Sequence, residues 1–194
     1  MKKLFLVIMA LSLLLVTGCG KESLSSQEQG SGYTVVDARG KKITFASAPK
    51  RIVCLNYSAT DILTDLIATD RIIATDMWAR EEDLSNCYEK LKGIPVCENN
   101  PEQIMKFNPD LVILTEGRAN ELADALDSVG VKTCVLRQPK TIQEIPYYIK
   151  IVGEVADTKA AADSLAEKVA AYIKASAGGQ KIESVLLIHH NGGR

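Results

Sequence analysis

The 194-residue chain has little aromatic content, 5%, with one tryptophan, Trp78, and two histidines, His189 and His190. It contains no GxSxG, no GxxxxGK[ST] and no HExxH, which excludes a nucleophile elbow, a phosphate loop and a zinc-peptidase helix. None of its five cysteines falls in a CxxC or a Cys/His spacing that suggests a metal. A positive footprint is also missing, because 23 Lys and Arg face 24 Asp and Glu with no basic block beyond the first residues, so nucleic acid is not an expected partner. What is present is an ordinary balance, 46% hydrophobic and 24% charged, unlike disordered, collagenous, disulfide-dense or polytopic membrane chains. The length allows one domain, or one and a part.

Lys2 and Lys3 precede an apolar run from Leu4 to Val16. At 1.5 Å per residue it reaches about 20 Å, short of a hydrocarbon core of about 30 Å. It reads as a secretory signal covering residues 1–18. Val16-Thr17-Gly18-Cys19 resembles the lipobox of bacterial lipoproteins, which implies lipidation of Cys19, a mature start there and anchoring to the bilayer outside the cytoplasm. Without residues 1–18 two lysines are lost, and 21 cationic residues face 24 acidic ones. Residues 19–32, rich in Ser, Gln, Glu and Gly, read as a flexible tether.

Beyond the tether, Tyr33 to Phe45 reads as two short strands around an Ala-Arg-Gly turn. Then uniformly apolar runs alternate with amphipathic segments. The expected strands are Ile52–Leu55, Ile72–Thr75, Leu111–Leu114 and Lys132–Leu136. The expected helices begin at a Ser58–Asp61 capping box, run from Leu84 to Leu91, start at Asn100-Pro101-Glu102 and stop at Asn108-Pro109-Asp110, and run from Ala119 to Val129 before Gly130. Runs apolar throughout mean that both faces are covered, so the fold class is α/β: an open parallel sheet with helices on both faces, in a lobe spanning residues 33–140. A second box, Thr141–Glu144, opens a helix to Val155, and Asp157 or Thr158 caps a long helix from Lys159, the pair occupying 141–177. Val185–Ile188 is a new buried strand, and 178–194 reads as the start of an incomplete C-terminal lobe. If this is all that is made, an unpartnered apolar strand there predicts aggregation, and one jaw alone predicts weak binding. Cys54 and Cys134 sit in apolar runs as small hydrophobes; for Cys87 and Cys97, free buried thiols and a mutual disulfide both stay open.

The ordered set Pro49-Lys50-Arg51-Ile52-Val53-Cys54-Leu55, Ser58-Ala59-Thr60-Asp61, Asn100-Pro101-Glu102-Gln103-Ile104, Asn108-Pro109-Asp110-Leu111-Val112-Ile113 and Leu126-Asp127-Ser128-Val129-Gly130-Val131, with the helix pair at 141–177, resembles the substrate-binding lipoproteins of ABC importers for iron siderophores, haem and cobalamin. These have two α/β lobes joined by one long helix. Departures are Asp61 where Glu is usual, Asn108 where Lys is usual, four non-lipid cysteines, and the absence of nearly all of the second lobe. The resemblance implies no enzyme and no cofactor, but a tethered receptor that clasps a metal chelate between lobes and passes it to a permease.

The loops after the strands then become ligand candidates: Asn56 and Tyr57; Met77, Trp78 and Arg80; Asn99; Thr115, Glu116 and Arg118. Trp78 can stack on a flat ligand, as an aromatic does in cobalamin-binding relatives, or pack over a neighbouring helix. Tyr57 can contact ligand or bind haem iron, or be a plain loop tyrosine. Arg80 and Arg118 can pair with propionates or a ferric siderophore's charge, or be solvated. Glu102 matches the family's permease-docking glutamate, although a carboxylate in a first helical turn also favours the helix dipole. His189 and His190 follow one another on a strand end and point opposite ways, so at most one faces the cleft. The alternatives are a structural or adhesive surface lipoprotein and a chelatase-like enzyme using Asp76 or Glu116.

Overall fold

A computed structural model describes residues 32–117 and 119–177. The signal, nearly all of the tether, Cys19, Arg118, the Val185–Ile188 strand and both histidines lie outside the described residues. The first element is an antiparallel hairpin, β1 (Tyr33–Val36) and β2 (Lys42–Phe45), with Val35 opposite Ile43. Its turn closes because the Asp37 carboxylate accepts the backbone N–H groups of Arg39 and Lys41 at 2.9 and 3.0 Å, and Gly40 takes φ +79°.

The core is a parallel sheet of β3 (Ile52–Leu55), β4 (Ile72–Thr75), β5 (Leu111–Thr115) and β6 (Thr133–Leu136), ordered β4-β3-β5-β6. As the uniformly apolar runs predict, both faces are covered. On one, Ile52, Cys54, Ile113 and Cys134 meet α1 (Tyr57–Leu66) and α4 (Ile145–Val155) through Leu63, Tyr148 and Val152. On the other, Val53, Val112, Leu114 and Val135 meet α2 (Pro101–Lys106) and α3 (Ala119–Ser128) through Ile104 and Leu126. The helix α5 (Lys159–Ala177) packs outside α4, with Ala162 and Ala166 against Ile149. No helix among the described residues is long and apolar enough to cross a membrane.

Neighbouring loops take some of the outward backbone groups at both sheet edges. Beside β6, Ala38 N–H donates to Val135 O at 2.8 Å, and Val135 N–H donates to the Asp37 carboxylate at 3.3 Å. Beside β4, Thr75 N–H donates to Pro95 O and Cys97 N–H to Thr75 O. Groups so engaged are not free to pair with another chain. The hairpin turn is fastened by Arg39, whose guanidinium meets Asp37, Asp124, Asp127 and Thr133 at 2.8 to 3.1 Å.

Three expected local features differ. The α1 cap is Asn56, whose Oδ1 accepts Ala59 N–H at 3.0 Å, while Asp61 of the expected box accepts Ser85 Oγ and Cys87 N–H instead. That second bond explains the next difference. The Leu84–Leu91 segment is not an α-helix but turns with a 3-10 piece at Glu89–Leu91, because Cys87 N–H is tied to Asp61 and Leu84 is left exposed. The Thr141 side chain makes no capping bond; Glu144 accepts Lys140 N–H at 2.8 Å, and a 3-10 turn precedes Pro146 in α4. All four described cysteines are free and buried. A Cys87–Cys97 bond is not formed, since the two pack into cores on opposite faces of the sheet.

Candidate functional site

Sheet order determines where the loops converge. From β3 the chain crosses through α1 to β4 on one side, and from β5 through α3 to β6 on the other, so the topological switch lies between β3 and β5. Open α/β sheets bind ligands at the carboxyl ends of the strands beside such a switch. Because the strands are parallel, all four loops open on that one edge.

After β3 comes Asn56, 2% exposed. Its Oδ1 accepts Ala59 N–H, Tyr148 OH at 3.2 Å and Gln138 Nε2 at 3.3 Å, so it ties the β3 end to α1, α4 and the loop after β6. Its Nδ2 has no hydrogen-bond partner among the described residues. Next to it Tyr57 opens α1 and is 45% exposed. After β4, Met77 and Trp78 are 50% and 46% exposed. They are held there by a 3-10 turn, Trp78–Arg80, whose Ala79 N–H is accepted by Asp76 Oδ1 at 2.9 Å. Burial pushes the Asp76 carboxyl above its ordinary value, against bonds from the Ala79 and Trp78 N–H groups.

Arg80 does not face this edge freely: its guanidinium donates to the Ile94 carbonyl, bracing the loop that returns along β4. Asn99 is exposed on that return, just after the Thr75–Val96 bridge and before Asn100, which caps α2 by accepting Gln103 N–H at 3.0 Å. Thr115 ends β5 opposite Leu136, and Glu116 N–H donates to Leu136 O at 3.0 Å. The Glu116 carboxylate meets Arg137 Nε at 3.3 Å. Glu102 lies exposed in the first turn of α2. Arg118 and Cys19 are outside the described residues.

Tyr57, Met77, Trp78, Thr115 and Glu116 thus share the carboxyl edge with Asn56 beneath them. The sequence reading missed Arg137 and Gln138, although they follow β6 as the others follow β3, β4 and β5. Tyr148 was also missed; only its place on the inner stripe of α4 hints at it. Cavities of about 210 and 240 Å³ lie elsewhere, between α1, α4 and α5, and between β1 and the α4–α5 turn. Among the described residues no cluster of three or more His, Cys, Asp or Glu side chains could hold a metal. Burial pushes the Cys54 and Cys134 thiols up to about 12, so neither offers a thiolate.

Residues 52–184 match the periplasmic binding protein family. An uncharacterized ABC transporter substrate-binding lipoprotein, YvrC, of Bacillus subtilis (strain 168) is 25% identical over 176 residues, 84% of this chain and 54% of its own length. A cobalamin-binding protein of Halobacterium salinarum is 25% identical over 129 residues, 66% of this chain and 35% of the relative. Among solved structures, the heme binding protein HmuT aligns with TM-score 0.64 at 21% identity, covering 76% of this chain and 48% of that one. The periplasmic heme-binding protein RhuT from Roseiflexus sp. RS-1 aligns with TM-score 0.56 at 24% identity, over 66% of this chain and 48% of that one. At such identities the structures establish the fold, and the chain spans about a third to a half of the length of the relatives it matches.

Proposed function

The chain belongs to the periplasmic binding protein family, and from that premise we propose that it is the extracytoplasmic, lipid-anchored substrate-binding protein of an ABC importer. In this reading it takes a metal chelate, a ferric siderophore, cobalamin or haem, and delivers it to a membrane permease. The observation that carries the reading is the strand-end face: half-exposed Tyr57, Met77 and Trp78 beside an ionic pair, at the switch point of an open parallel sheet. The names of the relatives, a transporter lipoprotein and a cobalamin-binding protein, support it.

The domain plan follows: 1–18 is removed, Cys19 is acylated, 19–32 is tether, 33–140 is the first lobe, 141–177 the linking helix pair, and 178–194 the start of a second lobe. Within the cleft Trp78, Met77 and Tyr57 supply the contact surface. Asn99, Thr115, Glu116 and Arg118 supply polar contacts, while Asn56 and Arg80 position the loops. Glu102 docks on the permease. The chemistry is capture and release, with no covalent step. Titration of the full gene product with cyanocobalamin, haemin and a ferric trihydroxamate, read by Trp78 fluorescence, tests the reading. Silence with all three sinks it, and retention of a Cys19→Ser variant on washed membranes sinks the lipid anchor.

A further inference from the structure

Asn56 follows β3 with a side chain that is unevenly used. Its backbone is fixed, because the carbonyl accepts Thr60 N–H at 2.9 Å, Thr60 Oγ1 at 3.0 Å and Cys54 Sγ at 3.5 Å. Its carboxamide is held through the oxygen alone. Three donors approach Oδ1, Ala59 N–H at 3.0 Å, Tyr148 OH at 3.2 Å and Gln138 Nε2 at 3.3 Å, whereas Nδ2 has no partner among the described residues.

A carbonyl oxygen has two lone pairs. Ala59 N–H, the shortest of the three bonds and the cap of α1, takes one of them. It also fixes which way round the amide sits, since turning it would set Nδ2 against that N–H. The second lone pair is contested by Tyr148 from α4 and Gln138 from the loop after β6, both at longer range than the cap. Asn56 and Tyr148 are 2% and 3% exposed, so bulk water does not stand by to replace a donor that leaves.

We infer that Asn56 Oδ1 is an exchange point that couples the seat of α4 to the loop after β6. As Tyr148 draws back, Gln138 takes the second lone pair and its loop closes on the β3 end. As Gln138 leaves, Tyr148 closes on Oδ1 and α4 seats. Both are positioning residues for the strand-end edge and need touch no ligand. In the domain plan proposed above α4 opens the linking helix pair, so a ligand that favours one setting of the loop shifts α4, and a shift of α4 changes ligand affinity by the same factor. That use of the exchange rests on the plan; the exchange itself does not.

The test is made on the free full gene product with Tyr148→Phe, Gln138→Met and the pair together, each keeping the shape of the side chain. If one donor fills the place of the other, either substitution alone lowers the urea-derived folding constant by less than about twofold, and both together lower it by about tenfold, the scale of one hydrogen bond. Two independent structural bonds would instead multiply, and a double loss equal to the product of the single losses overturns the inference. A spectroscopic readout separates exchange from packing. Tyr148→Phe should move the Gln138 side-chain amide proton downfield as its bond shortens, and Gln138→Met should shift the ¹³C-labelled phenol carbon of Tyr148. Should Tyr148→Phe fail to fold, Gln138→Met still decides through that carbon, and an unmoved resonance overturns the inference. Failure of every chelate to bind would sink the transport reading and leave the exchange standing, while an additive cycle would do the reverse.

Discussion

Gly153 sits where α4 crosses α5. A Cβ built there falls inside the Ala162 methyl group, and lies 3.5 Å from both Ala162 Cα and the Thr158 carbonyl. The last two are ordinary contacts, so the methyl–methyl overlap alone forces the helices apart. Gly153→Ala therefore sets two effects against each other. Replacing a mid-helix glycine gains about 1 kcal/mol of helix propensity, whereas overpacking a tight contact costs about 1 to 3 kcal/mol. The second should win by about 1 kcal/mol, lowering the melting temperature by about 3 °C for a domain of this size. Ala162→Gly in the same chain removes the obstruction, so the double variant should recover with a favourable coupling of about 1 to 2 kcal/mol. Urea unfolding of the two single variants and the double variant measures that coupling. Additivity within about 0.5 kcal/mol, or a stabilised Gly153→Ala, would refute the described helix crossing. The effect also reaches the strand-end face, because α4 carries Tyr148, whose hydroxyl holds Asn56. Gly153→Ala should thus loosen ligand binding as well as stability.

Arg39→Ala removes the partner of the fully buried Asp37 carboxylate and frees the hairpin turn from β6; a loss of about 3 kcal/mol with concentration-dependent aggregation is expected, read by urea midpoint and light scattering. Burial pushes the Asp127 carboxyl up, but bonds from Lys41 and Thr133 and the charges of Lys41 and Arg39 bring it below its ordinary value. A lowered folded value means the stabilisation is full above the unfolded carboxylate's pKa, about 3.9, and is lost as pH falls through the folded value. Asp127→Asn should flatten that acid limb of the urea midpoint between about pH 5 and 2. The Cys54 and Cys134 thiols, pushed by burial up to about 12, and Cys87, up to about 11, should not react with a thiol reagent at pH 8; four thiols besides Cys19 should react after unfolding, and fewer would reveal a disulfide. Half-exposed Trp78 should emit at long wavelength and be quenched by iodide in the free protein, with protection on binding chelate.

What was legible followed from burial. Ile52–Leu55 and Leu111–Leu114 could be read as strands because a parallel sheet needs apolar residues on both faces, and Asn100-Pro101 announced α2 because cap and proline act within one turn. What was not legible depended on distant partners. Asp61 reads locally as the end of a capping box, yet its carboxylate is taken by Ser85 and Cys87, and this displaces both the α1 cap and the expected Leu84–Leu91 helix. Arg80 reads as a cleft cation, and the Ile94 carbonyl that its guanidinium also meets is announced by no local pattern. The site repeats the lesson at larger scale. Each loop after a strand can be found from the sequence, but the sequence does not say which strand lies beside which. Placing β6 next to β5, and β4 on the far side of β3, turns separate loops into a line with Trp78 at one end and Arg137 at the other. Arg137 has no distinguishing neighbour in sequence; it is paired with Glu116, 21 positions away along the chain and 3.3 Å away in space.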